Sequence, residues 1–90
     1  MTIVHNITNH EFAYFTDEQV KVGELTYRYI NTHCIDAFHT QVDNAFQGKG
    51  IAGELYNALI EFARLQHLKI KPSCVYIEKR MMRSHPELMS

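Results

Sequence analysis

The sequence predicts an α+β domain in which an antiparallel meander is followed by a strand–helix–strand unit and a short C-terminal helix. Two observations carry this prediction. Apolar and polar residues alternate with the period of a strand through the first half of the chain, and from about Gly48 apolar residues recur with the period of a helix. With 90 residues the chain can bury one small core, so a single domain over residues 1–90 is expected.

The first half of the chain, residues 2–42, favours strands. Two alternating sets of apolar residues meet out of phase at Gly23, which predicts a bulge or a bend there. Polar residues at 16–19 and at 31–33 predict turns. The meander is therefore expected to contain three long strands, of which Cys34–Val42 is the third.

The long helix is predicted from an apolar stripe that begins just after Gly48. The stripe recurs every three or four residues and comprises Ile51, Leu55, Ala58, Leu59, Phe62 and Leu65. Polar residues take the opposite face, at Glu54, Asn57, Glu61 and Arg64. This pattern is typical of a helix that packs one side against a core.

The segment after the helix completes a crossover unit. Residues 69–75 are predicted as a short strand and residues 77–83 as a helix that ends before Pro86, since proline restricts its predecessor. A strand, a helix and a second strand form a right-handed crossover with parallel strands. Because ligands of such units bind beyond the carboxyl ends of the strands, we expect Val42, the helix start and Cys74 to lie together.

Composition and charge argue against several classes of function. Nine Lys and Arg against ten Asp and Glu leave a net charge of -1, so no basic excess favours nucleic acid. No apolar run approaches the roughly 20 residues that span a bilayer, and no signal pattern opens the chain, so a cytoplasmic protein without a membrane partner is expected. Cys34 and Cys74 are expected to be free thiols. The histidines show no zinc spacing, so no metal is expected. The sequence does not indicate an oligomer, although an exposed edge of the meander could permit a dimer.

A glycine-rich loop, Gln47-Gly48-Lys49-Gly50-Ile51-Ala52, joins the third strand to the helix. Its two glycines let the backbone turn tightly, and the free N–H groups of the following helix point at whatever occupies the loop. Lys49 could reach a second phosphate or lie in solvent. The loop therefore suits an anionic phosphate group, although a plain glycine-rich turn would also account for it.

The same loop resembles a family signature. Gln47-x-x-Gly50-x-Ala52 fits the Q/R-x-x-G-x-G/A signature with which GCN5-related N-acetyltransferases (GNAT enzymes) bind the pyrophosphate of coenzyme A. Over residues 10–88 the chain is similar to a small GNAT-like subfamily, through His39-Thr40-Gln41-Val42, Pro72-x-Cys74-x-Tyr76 and His85-Pro86-Glu87. The resemblance implies a minimal GNAT fold, acetyl-CoA as substrate, and an amine of a small molecule or a protein as acceptor.

The resemblance also assigns cofactor-binding residues. The pantetheine arm is expected to bond the first strand of the crossover unit along its backbone, at Phe38, Thr40 and Val42. The pyrophosphate is expected on the loop residues Gln47, Gly48, Lys49, Gly50, Ile51 and Ala52. Gln47 stands where arginine is also common, so one phosphate-facing charge is absent. No helical pattern precedes residue 48, so the helices that help form the acceptor pocket in larger GNAT enzymes are missing.

Three residues are candidates for catalysis, and each has a structural alternative. Cys74 could accept the acetyl group as a thiolate and pass it on, or could be an inert buried thiol. His39 could act as a base for Cys74 or for the amine, or could be a structural histidine. Tyr76 resembles the tyrosine that often follows this strand in GNAT enzymes and could protonate the coenzyme A thiolate, or could be a core aromatic. The alternative function is a non-catalytic module that binds or senses coenzyme A.

Overall fold

The computed structural model describes residues 1–90 as a five-stranded sheet with two α-helices. The elements are β1 Thr2–Asn6, β2 Glu11–Phe15, β3 Lys21–Asn31, β4 Cys34–Val42, α1 Ile51–Leu65, β5 Lys69–Pro72 and α2 Val75–Ser84. Short 3-10 turns occupy Asn44–Phe46 and Pro86–Leu88. Strands β1 to β4 are antiparallel neighbours in chain order, and β5 pairs in parallel with β4. The predicted fold class is confirmed. Neither helix is long and apolar enough to cross a membrane.

The meander has four strands and not the three that the alternation predicted, because residues 7–10 form a turn within the first segment. The side chain of Asn6 stabilises this turn by accepting a hydrogen bond from the backbone N–H of Asn9 at 3.0 Å. The turns expected at 16–19 and at 31–33 are present. The turn stabilised by Asn6 therefore divides the predicted first strand into β1 and β2.

The register of the meander shifts at three places. Two of these bulges decide which side chains face the core, and the third, at Ile30, lies next to the turn between β3 and β4. Val22 is an extra residue in the register between β2 and β3, beside Gly23, which confirms the bulge predicted there. Phe38 is an extra residue in β4, because Ala37 and His39 pair with successive residues of β3. A bulge of one residue exchanges the two faces of a strand for all residues that follow it.

Both helices pack on the same face of the sheet and contribute to a single apolar core. The buried side chains of α1 are Ile51, Leu55, Tyr56, Leu59, Ile60 and Ala63, and α2 adds Ile77 and Met81. Three residues of the predicted stripe are thus buried, but Leu65 at the last position is 67% exposed. Tyr56 lies outside that stripe and is buried because the end of α2 covers it, with its hydroxyl 2.6 Å from Nδ1 of His85.

The opposite face of the sheet carries no helix. Residues directly opposite each other in a register share a face, and on this side Arg28 pairs with Asp36 and Thr26 with His39. Side-chain ion pairs cover part of this surface. The amino group of Lys21 lies 2.9 Å from a carboxylate oxygen of Glu24, and Arg28 Nη2 lies 3.1 Å from Asp36 Oδ2.

The segment after α1 differs from the prediction. The expected strand at 69–75 ends at Pro72, because proline has no N–H to continue the ladder with β4. Cys74 is the N-cap residue of α2, so it lies two residues beyond the strand in which it was expected. The helix begins at Val75, earlier than predicted, and ends at Ser84 before Pro86, as predicted.

Candidate cofactor and catalytic site

Strands β4 and β5 run side by side over only four residue pairs and then part. The last pair is Ala37 with Pro72, whereas β4 continues to Val42. Backbone groups of residues 38–42 therefore have no strand partner on the β5 side. The N–H of Cys74 donates to the carbonyl of Ala37 at 3.1 Å and closes the narrow end of the gap. The result is an open wedge between β4 and the start of α2, with free backbone along one wall.

The glycine loop lies at the wide end of this wedge. Gly48 and Gly50 have φ values of 80° and 83°, a left-handed conformation that favours glycine. A Cβ placed on either residue would have no atom within 4 Å, so the loop backbone borders open space. Gly50 is the N-cap of α1 and supplies no side-chain cap, which leaves the first-turn N–H groups without a capping side chain. Such a helix end binds anions.

A cavity of about 210 Å³ lies against this loop. Its walls are the end of β4 at Val42, the residues around the two glycines, and two side chains of α2, Tyr76 and Arg80. Lys49 is exposed and is not part of these walls. The side-chain amide of Gln47 donates to the carbonyl of Val42 at 3.1 Å and to Asn44 Oδ1 at 3.2 Å, so it fixes the start of the loop to the end of β4.

Cys74 and Thr40 meet at the narrow end of the wedge. The Cys74 thiol donates to Oγ1 of Thr40 at 3.5 Å. Thr40 pairs with the fully buried Leu25, so both side chains point to the helix-covered face of the sheet. Cys74 is half-buried at the N-cap of α2, where the helix dipole favours negative charge. The thiol therefore lies at the carboxyl end of the parallel strand pair, where the crossover topology predicted it.

His39 lies on the other face of the sheet. Its Nε2 is 3.0 Å from Oε2 of Glu24. Hydrogen bonds from Lys21 and then from His39, with their charges, hold the pKa of Glu24 below its usual value despite partial burial. The register thus brings His39 to Glu24 and not to Cys74.

Tyr76 belongs to α2 and not to a strand. Its hydroxyl accepts a hydrogen bond from Nη1 of Arg80 at 2.9 Å and lies 3.9 Å from the position that a Cβ on Gly53 would take. Tyr76 therefore borders the first turn of α1. Phe38, the bulged residue, is 39% exposed, and the guanidinium carbon of Arg28 lies 4.9 Å from its ring centroid.

Residues 11–90 match the family described as GCN5-related N-acetyl-transferase. The chain belongs to this family. A curated relative, the protein NATD1 of Xenopus tropicalis, is 40% identical over 55 residues, which cover 61% of this chain and 50% of that protein. The chain thus spans about half the length of this relative.

Two solved structures show the same GNAT fold. A GCN5-like protein of Staphylococcus aureus, studied by NMR, superposes with a TM-score of 0.78 and 27% identity over 99% of this chain and 87% of that one. A GNAT family acetyltransferase of Elizabethkingia anophelis, solved with acetyl-CoA bound, gives a TM-score of 0.66 and 14% identity over 83% of this chain and 51% of that one. The predicted GNAT fold is confirmed.

Two charged residues of this GNAT domain were not among the predicted site residues. Arg80 was missed because its only local signal is the four-residue spacing from Tyr76. Asp36 could have been noticed as a charged residue in the apolar run of β4, and it is 3% exposed. Its Oδ2 pairs with Arg28, while its Oδ1 has no hydrogen-bond partner. Burial alone would raise the pKa of Asp36, but nearby Ser73 and Arg28 hold this pKa below its usual value.

Proposed function

We propose that this chain binds acetyl-CoA and transfers the acetyl group to an amine by way of Cys74. One observation carries the proposal: the wedge between β4 and α2 joins an anion-binding helix end to a free thiol through a stretch of unpaired backbone. A ligand with phosphates at one end and a thioester at the other matches that arrangement. The acetyl-CoA bound to the Elizabethkingia anophelis enzyme of the same fold supports the choice of ligand.

The backbone supplies most of the proposed binding contacts. Amides of residues 48–52 would hold the pyrophosphate, because the glycines leave open space above them, whereas the N–H of Gln47 donates to the carbonyl of Asn44 at 3.3 Å. The free edge of residues 38–42 would pair with the amide groups of the pantetheine arm, as an added strand pairs with a sheet edge. Phe38, Thr40 and Val42 would then border the arm on its way to the thiol.

Cys74 acts as the nucleophile in the proposed reaction. Its sulfur attacks the acetyl carbonyl, so that a carbon–sulfur bond to Cys74 forms and the bond to the coenzyme A sulfur breaks. The thiol proton of Cys74 passes to solvent water as the new bond forms, and Tyr76 is the proposed donor of a proton to the leaving coenzyme A sulfur, after which Tyr76 regains a proton from solvent. Thr40 Oγ1, which accepts a hydrogen bond from the Cys74 thiol at a sulfur–oxygen distance of 3.5 Å, can instead donate a hydrogen bond once the sulfur is negative.

In the second step a neutral amine attacks the acetyl carbonyl on Cys74, so that a carbon–nitrogen bond forms and the carbon–sulfur bond breaks. The amine loses a proton, and the Cys74 sulfur regains one from solvent. An amine that enters the wedge from the helix-free face would pass His39, whose Nε2 lies 3.0 Å from Glu24 Oε2, before it reaches Cys74 on the helix-covered side. His39, oriented by Glu24, is the proposed base for that amine.

Intact-protein mass spectrometry after incubation with acetyl-CoA tests the proposal. We expect one acetyl group on Cys74 that moves to an added amine, with no label on Cys34, which is 7% exposed. Cys34→Ala is the matched control and should label as the wild type does. Cys74→Ala should lose the label but still bind acetyl-CoA. An equal transfer rate in Cys74→Ala would remove the covalent step, and no calorimetric binding at about 1 mM ligand would remove the whole function.

One observation favours a second candidate, a non-catalytic module that binds or senses coenzyme A. No α-helix precedes Ile51, and one face of the sheet is uncovered, so the described residues form no enclosed acceptor pocket. Binding of acetyl-CoA without acetyl transfer to any of a panel of small amines and peptide amines would favour this module over the enzyme.

A further inference from the structure

We propose that Arg80 provides the phosphate-binding positive charge that the glycine loop itself lacks. The inference rests on the proposed function, because it assigns a residue to the coenzyme A site described above. It arises from one juxtaposition: a guanidinium group of α2 lies against the first turn of α1 at the wall of the cavity.

The loop directs no cation into the cavity. Gln47 occupies the signature position at which arginine is also common, and its side-chain amide donates to Val42 and Asn44, which precede the loop. Lys49 is exposed and lies outside the cavity walls. The backbone amides are therefore the only donors that the loop offers, and they carry partial charges.

Arg80 has the properties of an anion ligand held in place. Its Nη1 donates to the Tyr76 hydroxyl at 2.9 Å, and its guanidinium carbon lies 4.8 Å from the ring centroid of Tyr56. These contacts fix the plane of the group but use one of its five N–H donors. None of the ion pairs in the protein includes Arg80, although it is half-buried.

The position of this charge is unfavourable without an anion. A Cβ on Gly53 would lie 3.2 Å from Arg80 Nη1, so the guanidinium group sits beside the first turn of α1. The helix dipole is positive at that end and repels a cation. A phosphate in the cavity would make this position of Arg80 favourable, because the phosphate would accept hydrogen bonds from the helix N–H groups and from the planar guanidinium together.

Calorimetry with two ligands tests the role of Arg80. Coenzyme A carries phosphates and pantetheine carries none, so only the affinity for coenzyme A should depend on the charge of Arg80. We expect Arg80→Gln to weaken coenzyme A binding about 10-fold to 100-fold, the value of a charge-assisted hydrogen bond, and to leave pantetheine binding unchanged. Arg83→Gln, an exposed arginine of the same helix, is the matched control and should bind both ligands as the wild type does.

Two further variants separate phosphate binding from a structural role. Arg80→Lys keeps the charge but loses the planar fork, so it should show an intermediate loss for coenzyme A. Gln47→Arg, added to Arg80→Gln, should restore part of the affinity. Coenzyme A binding by Arg80→Gln within twofold of the wild type would overturn the inference and leave the proposed function intact. An equal loss of pantetheine binding would also overturn it, since the role would then be structural. Failure of the wild type to bind coenzyme A would instead remove the proposed function.

Discussion

Substitution of Gly23 by alanine tests how closely the sheet and α1 are packed. A Cβ at this position would lie 3.0 Å from Cγ2 of Ile51 and 3.4 Å from Cδ1 of Leu55. Nonbonded carbon atoms prefer about 3.5–4.0 Å, so the start of α1 must move by about 0.5–1 Å. Overpacking of this kind costs about 1–3 kcal/mol. For a domain of this size a cost of about 2 kcal/mol lowers Tm by roughly 8–16 °C.

Thermal unfolding followed by circular dichroism measures this effect, and a double-mutant cycle assigns it to one contact. Ile51→Ala removes the methyl group that the new Cβ would meet, at a cost of about 2–5 kcal/mol by itself. In the double variant the Cβ of Ala at position 23 occupies part of the vacated space. We therefore expect the double variant to lose about 1 kcal/mol less free energy of unfolding than the two single variants lose together.

The reasoning about Gly23 would be refuted by either of two results. One is a Tm of Gly23→Ala within about 2 °C of the wild type, which corresponds to less than about 0.5 kcal/mol. The other is additivity of the two substitutions within about 0.5 kcal/mol, because residues in contact should not be additive. Since Ile51 directly follows the loop residue Gly50, the same displacement should weaken coenzyme A binding.

Two further predictions concern side chains bonded to tyrosine. Burial and the nearby charge of His10 lower the pKa of His5, whose Nε2 is 2.6 Å from the Tyr27 hydroxyl. As the pH falls, His5 therefore takes up a proton at a higher pH in the unfolded chain than in the folded chain. The free energy of unfolding should fall as the pH drops below about 6.5. Urea midpoints between about pH 7.5 and pH 5.5 should show this fall, and His5→Gln should flatten it; an unchanged slope would contradict the assignment. Tyr56→Phe removes the 2.6 Å hydrogen bond to His85 and should cost about 0.5–1.5 kcal/mol in urea unfolding, whereas no change would mean that this bond adds nothing.

The prediction of secondary structure succeeded for the bulge at Gly23 and for the long helix, but it missed the turn at residues 7–10. The phase change at Gly23 marked a bulge because alternation of side chains follows directly from strand geometry. The prediction failed at residues 69–75, where apolar residues are compatible with a strand and with the first turn of a helix. There the strand ends because Pro72 cannot extend the ladder beside Ala37, and the chain then starts α2.

The geometry of the candidate site was predicted in part, and the roles of its residues stay predictions. The loop at 47–52 could be recognised because positive φ values and free helix amides are consequences of glycine and of chain order. The partner of His39 could not be recognised. Without the bulge, His39 would share the face of buried Ala37; the extra residue Phe38 exchanges the faces and puts Thr40 beside Cys74 instead.

The sequence by itself determined the antiparallel meander, the long helix, the crossover of β4, α1 and β5, and the glycine loop that joins β4 to α1, because chain order and local side-chain patterns predict each of them. Only the tertiary structure decided that Arg80 meets the first turn of α1 near Gly53, and that Cys74 meets Thr40 across the wedge. Those contacts join residues 27 and 34 positions apart (80 − 53 and 74 − 40) and depend on strand register and helix packing. Neither register nor packing is encoded in local periodicity, since both follow from how the whole core is filled.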